Sequence, residues 1–371
     1  MSQVYFNIQE MIGNTPLLKL NASSKKVPTS AWLKSKGVRE DSFDLKSDLF
    51  AKIEYFNPGG SVKDRIARSI IEGAEKSGLL RMGGTIVEAT SGNTRAGLAL
   101  LAAAKGYKAV FCMPDKMSSE KINALRAYGA RVVITPAAAG PDHPDYYCNV
   151  AKRLSQEIPG AFLANQYFNP DNPRSHYETT GPELWEQTKG KIDVFVAGIG
   201  TGGTLSGTAK FLKEKNPKIK IVAVDPVGSI YAGLIRDGKP SPHGKYLVEG
   251  VGEDMLPGTM DLKIVDDVIS VNDHESFSAT RMLAQKEGLL LGGSCGTAWY
   301  AAVQYTKHLE VLDGRKLSAV VLLPDSGSRY LTKVFNPKWI KANKLRETWG
   351  DEELGGAFEY VGAAKKVEGV E

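Results

Sequence analysis

Four short segments gather residue types that can do chemistry. The first is Asn57-Pro58-Gly59-Gly60-Ser61-Val62-Lys63-Asp64-Arg65. Asn-Pro-Gly-Gly is a turn signal, and Ser61 can cap the helix that follows. Lys63 then falls in a first helical turn, where the helix dipole disfavours a cation. A position that disfavours ammonium lowers the lysine pKa and frees a nucleophilic amine, which is what Schiff-base chemistry requires. Lys63 equally reads as a solvated side chain paired with Asp64. The second segment, EATSGNT at 88–94, joins a strand to a helix. Its Thr90, Ser91, Asn93 and Thr94 set hydroxyls and an amide beside free N–H groups, a combination suited to a carboxylate. The other reading is a well-capped helix without a ligand.

The third segment, GIGTGGT at 198–204, also runs from strand to helix. Gly200, Thr201, Gly202, Gly203 and Thr204 let backbone N–H groups approach a phosphate at the positive end of a helix. Gly198, Gly200 and Gly203 also match G-x-G-x-x-G, and the next strand ends at Asp225, near where a ribose-binding acid would stand. An NAD-binding oxidoreductase is therefore a rival on these residues. Three features weaken it: the turn is denser in Gly and Thr than a dinucleotide turn needs, Pro226 follows Asp225, and no His or Tyr constellation for hydride transfer follows. The fourth segment, LLGGSCGT at 290–297, presents Ser294 at another helix start. Ser294 reads as a neutral hydroxyl facing a ligand or as an ordinary N-cap, and Cys295 as a small packing residue.

The elements that must position these segments alternate. Strands are expected at 85–89, 108–113, 131–135, 193–198, 219–225, 263–271 and 317–323, and helices at 94–105, 118–128 and 204–215. Nearly continuous apolar strands between helices predict an α/β fold with parallel sheets flanked by helices, and ligands beyond the carboxyl ends of the strands. The expected catalytic core covers 1–345, with a smaller lobe over about 51–164 and a larger one over about 165–345. Residues 21–50 read as a polar surface insertion, and 346–371 as a loosely held polar tail.

Composition excludes several classes. The chain has 371 residues, 42% hydrophobic and 24% charged, within the range of globular proteins. Its net charge of +5 is spread without a basic stripe interleaved with aromatics, so no nucleic-acid partner is expected. The three cysteines, Cys112, Cys148 and Cys295, make neither a disulfide framework nor a thiolate metal site. His143, His176, His243, His274 and His308 lack metal-ligand spacing and read as surface or structural. No G-x-S-x-G motif, signal peptide or membrane-spanning run is evident, and a cytoplasmic location is expected.

Taken in order, these segments resemble the cysteine synthase / cystathionine β-synthase family of fold type II pyridoxal 5′-phosphate (PLP) enzymes. GNTPLLKL at 13–20, NPGGSVKDR at 57–65, TSGNT at 90–94, MPDKMSSEK at 113–121, NQY at 165–167, GIGTGGT at 198–204, VDPVGS at 224–229, VEGVG at 248–252 and GGSCGT at 292–297 carry the resemblance. MSSEK, HYETTGPELW at 176–185 and LPDSGSRYLTKVFN at 323–336 are similar to the cystathionine β-synthase branch in particular. The resemblance implies a two-lobed fold like the tryptophan synthase β-subunit and PLP held as a Schiff base on Lys63. It implies Asn93 on the ring hydroxyl, residues 200–204 on the phosphate, Ser294 on the pyridine nitrogen, and Pro324 and Asp325 near the ring. Thr90, Ser91, Asn93, Thr94 and Gln166 would bind the substrate, chiefly its carboxylate. The implied reaction is β-replacement on L-serine by L-homocysteine through an aminoacrylate, with cysteine synthase chemistry on O-acetylserine or O-phosphoserine as the alternative. A homodimer acting on small amino acids is implied too. The chain departs from the family at Arg95, where many relatives carry Gly, and at Glu253, where some carry Tyr. Regulation through an appended domain pair or an N-terminal haem segment is not expected.

Overall fold

The computed structural model describes residues 4–90, 92–115, 117–350 and 352–354. Two sheets organise them. The larger has six strands in the order Leu17–Leu20, Asp48–Ile53, Ser318–Leu323, Val194–Gly198, Lys220–Pro226, Asp267–Val271. Only the edge strand Leu17–Leu20 runs antiparallel, against Asp48–Ile53; the other pairings are parallel. The second sheet has four parallel strands in the order Arg131–Thr135, Lys108–Pro114, Thr85–Ala89, Ala161–Leu163.

Burial explains the parallel arrangement. Val194, Phe195, Val196 and Ala197 are all inaccessible to solvent, as are Val222, Ala223 and Val224 beside them. A strand covered on both faces has no polar side to alternate with. Helices therefore pack on the faces, among them Gly203–Lys215 and the 21-residue Gly293–Asp313. None of the helices described is long and apolar enough to cross a membrane.

Most expected elements form where the periodicity predicts, but three segments differ. The strand expected at 263–271 starts only at Asp267. Before it, the Asp261 carboxylate accepts from the Lys263 amide at 3.0 Å and starts a short 3₁₀ turn at Leu262–Ile264. Residues 21–50 are not merely a surface insertion. Val27 and Leu33 are fully buried and join Val38, Phe43 and Leu45 in the core beneath Gly293–Asp313. Gln304 fixes the segment by accepting from the Ser30 amide at 3.0 Å and donating to the Pro28 carbonyl at 2.8 Å. Single apolar residues scattered among Ser and Lys give no period to read. The loosely held tail does not begin at 346 either. Trp349 and Leu354 are buried, the Trp349 ring lies 5.4 Å from that of Trp299, and Arg281 donates to the Leu354 carbonyl. The rest of the expected tail, 355–371, lies outside the described residues.

Candidate active site

Lys63 is the first residue of the helix Lys63–Lys76, which follows strand Asp48–Ile53 and the turn at 57–60. The turn is held from three sides. Asn57 accepts from the Gly13 amide at 2.8 Å, which joins GNTP to NPGG. The Val62 amide donates to the Pro324 carbonyl at 2.8 Å, and Ser61 bridges to Asp325. The Asp64 carboxylate turns back to accept from the Gly59 amide at 2.5 Å. A Cβ at Gly59 would lie 2.4 Å from that carboxylate, so only glycine fits. Asp64 is thus engaged with its own loop and is not an ion-pair partner for Lys63. Burial raises its pKa to about 7.

Below the turn lies a buried ion network. Arg65 donates from Nε and Nη2 to both oxygens of Glu54, at 2.7 and 2.9 Å, and from Nη1 and Nη2 to Glu183, at 2.6 and 2.8 Å. Lys52 donates to Glu183 at 2.6 Å. The network fastens the helix carrying Lys63 to the large sheet. Burial pushes the Lys63 pKa down, while Asp325 and Glu253 pull the other way without reversing it. The direction matches the expectation from the helix start, but the cause is desolvation.

One cleft collects Lys63, Gly200, Thr201, Gly202, Thr204, Ser294 and Pro324. The glycine loop is oriented by what holds its carbonyls. Tyr231 OH donates to the Gly200 carbonyl at 2.6 Å, Thr259 Oγ1 to the Thr201 carbonyl at 2.5 Å, and the Gly252 amide to the Ile199 carbonyl at 2.6 Å. In a trans peptide the N–H points opposite to the carbonyl, so the next residues' amides face the other way. The first-turn N–H groups of Gly203–Lys215 add to these donors, having no intrahelical partners. Gly202 has φ +82°, and a Cβ there would lie 2.5 Å from Met260; one at Gly203 would lie 1.9 Å from Asn172 Oδ1. The loop's close approach to its surroundings therefore needs glycine at both positions.

The remaining expected site residues surround the cleft in two linked groups. Asn93 directly precedes the helix Thr94–Lys105 without capping it; its Nδ2 donates to Asp325 at 2.7 Å, and its Oδ1 accepts from Arg329. Burial raises the Asp325 pKa, against hydrogen bonds from Tyr330 and Asn93. Thr94 Oγ1 donates to Gln166 at 2.5 Å. Thr90 accepts from the Gly92 amide at 3.2 Å, closing the turn before that helix. Ser91 lies outside the described residues.

Several residues that sequence reasoning did not single out complete the site. Asn172 joins its two sides, donating to the Gln166 carbonyl at 2.8 Å and to Thr201 Oγ1 at 3.0 Å. His176, read as structural or surface, is fully buried, with Nε2 3.1 Å from Thr204 Oγ1 and Nδ1 2.9 Å from Thr180 Oγ1. Burial pushes its pKa well down and keeps the ring neutral. It sits on a π-helical turn, His176–Thr180, a distortion often found at functional sites. Arg329 bonds Asn93 and the Gly59 carbonyl, tying the helix start at 93 to the Lys63 turn. His176 and Arg329 stand in the HYETTGPELW and LPDSGSRYLTKVFN segments, but an isolated Asn, His or Arg acquires its role only from its neighbours in space. The Asp225 carboxylate, considered above for a ribose, is buried and accepts from the Ala232 amide at 2.8 Å, where it holds the turn after its own strand. Among the described residues no cluster of His, Cys, Asp and Glu could hold a metal.

Comparison with known proteins identifies the family. A family model described as pyridoxal-phosphate dependent enzyme matches residues 8–325, and the chain belongs to that family. It is a PLP-dependent enzyme of fold type II, in the group that contains cystathionine β-synthases and cysteine synthases. It is 45% identical to the cystathionine β-synthase of Apis mellifera over 357 residues, covering 94% of this chain and 66% of that protein. It is also 45% identical to the enzyme of that name from Rattus norvegicus, covering 94% of this chain and 58% of that one. The chain thus spans slightly under two thirds, or less, of those relatives' length. Against a cysteine synthase from Staphylococcus aureus (strain N315) identity is again 45%, over 88% of this chain and 95% of that protein. Among solved structures, a hydrogen sulfide-producing enzyme from Fusobacterium nucleatum superposes with a TM-score of 0.76 at 37% identity, covering 89% of this chain and 99% of that one. O-acetyl serine sulfhydrylase isoform 3 from Entamoeba histolytica gives 0.77 at 33%, covering 89% and 91%.

Proposed function

We propose that the protein catalyses β-replacement on L-serine by a thiol, with L-homocysteine as nucleophile and L-cystathionine and water as products. The observation that carries this reading is the convergence on one cleft of a lysine with a depressed pKa, the outward-facing amides at 200–204, and the Ser294 hydroxyl. These donors fit the cofactor: Lys63 Nζ for its aldehyde, the 200–204 amides with Thr201 and Thr204 for its phosphate, and Ser294 for its ring nitrogen. Asn93 would bond the ring hydroxyl, and Pro324 and Asp325 would lie near the ring. Bound PLP supplies an electron sink for the bonds at Cα.

The chain's own residues then divide the work. Thr90, Ser91, Asn93, Thr94 and Gln166 hold the substrate, chiefly through its α-carboxylate, and so fix the Cα–H bond relative to Lys63. Lys63 Nζ takes the Cα proton and passes it to the departing hydroxyl. A desolvated amine with a lowered pKa suits both tasks, because it releases a proton more readily than an ordinary lysine. Ser294, a neutral hydroxyl, does not fix a proton on the ring nitrogen as a carboxylate would. The electron sink is then weaker, which favours elimination over transamination.

The second reading is a cysteine synthase or another β-substituted-alanine synthase acting on O-acetylserine or O-phosphoserine. It is favoured by the Staphylococcus aureus relative, which matches at the same identity over nearly its whole length. Rates for serine, O-acetylserine and O-phosphoserine, each with homocysteine and with sulfide, separate the two. A preference of orders of magnitude for O-acetylserine with sulfide sinks the first. Loss of the cofactor's visible absorbance in Lys63→Ala tests the anchor, and an unchanged spectrum refutes it.

A further inference from the structure

Arg95 immediately follows the carboxylate-binding turn, in the first turn of helix Thr94–Lys105. The sequence leaves open an outward-pointing side chain, but Arg95 is only 6% exposed. Its Nη1 is buried and has no hydrogen-bond partner. Burial brings its pKa down to about 10, and nearby Arg329 pushes in the same direction. Arg329 is itself the guanidinium that bonds Asn93, two residues before Arg95, and the Gly59 carbonyl. The acidic group that might offset them is Glu249, but it is already shared. Lys121 bonds one of its oxygens at 2.8 Å and Lys333 the other at 2.5 Å. Lys121 also lies over the Tyr330 ring. Arg95 therefore feels Arg329 and a single carboxylate, Glu249, which is already bonded by two lysines. A buried, unpaired guanidinium is strongly unfavourable unless something neutralises it. Repulsion from Arg329 adds to that cost.

We propose that Arg95, backed by Arg329, selects a second anionic group on a substrate, a carboxylate or phosphate distinct from the α-carboxylate held at Thr94 and Gln166. This deepens the β-replacement reading and rests on it. The group belongs either to the amino-acid donor, as the phosphate of O-phosphoserine, or to the thiol acceptor, as the carboxylate of homocysteine or 3-mercaptopropionate. Sulfide, 2-mercaptoethanol, serine and O-acetylserine lack it.

The test uses the PLP-loaded enzyme, Arg95→Gln and Arg95→Lys. The kcat/KM ratio of O-phosphoserine to O-acetylserine is measured with sulfide, and that of 3-mercaptopropionate to 2-mercaptoethanol with the preferred donor. Removing a charge-assisted bond lowers the ratio for the anionic member by roughly 10-fold or more in Arg95→Gln. Arg95→Lys, which keeps the charge, restores part of it. A fall confined to the donor pair assigns a phosphate, and one confined to the acceptor pair assigns a carboxylate. Calorimetric titration of 3-mercaptopropionate without a donor, and of O-phosphoserine and serine without an acceptor, into the PLP-loaded enzyme and loaded Arg95→Gln reads binding apart from full turnover. If no donor and acceptor react at all, the β-replacement reading fails while the titration still judges Arg95. Equal losses for charged and neutral partners in every arm, with lowered stability, make Arg95 a packing residue and overturn the proposal.

Discussion

Replacing Arg65 with Leu removes the centre of the buried ion network and leaves two carboxylates without their main partner. Glu54 is fully buried, and burial alone would raise its pKa, yet Arg65 holds it below its ordinary value. For Glu183 burial again acts upward, but Arg65 and Lys52 bring the pKa down to about 2 from 4.5. That depression corresponds to about 3 kcal/mol of folded-state interaction. Breaking a buried pair from one side typically costs about 3–5 kcal/mol, a large part of the roughly 5–15 kcal/mol that holds a domain folded. The pH dependence carries the diagnostic sign. A carboxylate with a depressed folded pKa contributes stability above its unfolded value and loses it as pH falls through the folded one. The wild type should therefore lose this contribution from about pH 4.5 toward pH 2, a window set by the Glu183 values. Arg65→Leu has little of it to lose, and its carboxylates protonate early. Urea unfolding of both proteins should show a gap of about 3–5 kcal/mol at pH 7 that narrows steadily below pH 4.5. A gap under about 1 kcal/mol, or one of equal size at pH 7 and pH 4, would refute the assignment of the network as the strut beneath Lys63.

Two further outcomes follow from the glycine loop and its support. Gly202→Ala places a methyl group 2.5 Å from Met260 at φ +82°, which costs about 1–2 kcal/mol for the left-handed backbone alone. Retention of PLP through dialysis should fall sharply, and unchanged retention would remove this loop from the phosphate site. His176 is neutral and its pKa is depressed by burial, so the unfolded chain gains a proton first as pH falls below the ordinary histidine range and stability drops there. His176→Gln should show a smaller decline in urea midpoint between about pH 6.5 and pH 5 than the wild type. An identical decline assigns that slope elsewhere.

The surroundings of Lys63 show how far local sequence reaches. Its position at a helix start, after a turn built on Gly59 and Gly60, is legible because glycine, proline and cap residues act on the backbone within a few positions. The direction of its pKa shift is legible too, but its cause is burial rather than the helix start. The helix dipole is a local property, whereas desolvation depends on what packs above the amine. Arg95 illustrates the same limit. One chain tells that a cation follows the TSGNT turn; whether it points outward or is buried beside Arg329 depends on residues more than two hundred positions away. The buried residues of 21–50 and the anchored Trp349 escaped notice because their partners lie on the distant helix Gly293–Asp313 and leave no period in the segments themselves.

By itself the sequence determined the parallel α/β class, the strand-to-helix turns, and the residue types that pyridoxal chemistry needs. Those properties follow from backbone preference and hydrophobic period, which are written within short windows. Only the tertiary structure decided that Asn172 joins the two sides of the cleft, that His176 supports Thr204, that Asp325 meets Asn93, and that Arg95 is buried with its Nη1 unpartnered. Hydrogen bonding, burial and charge balance depend on distance in space, and the order of residues along one chain does not specify it directly.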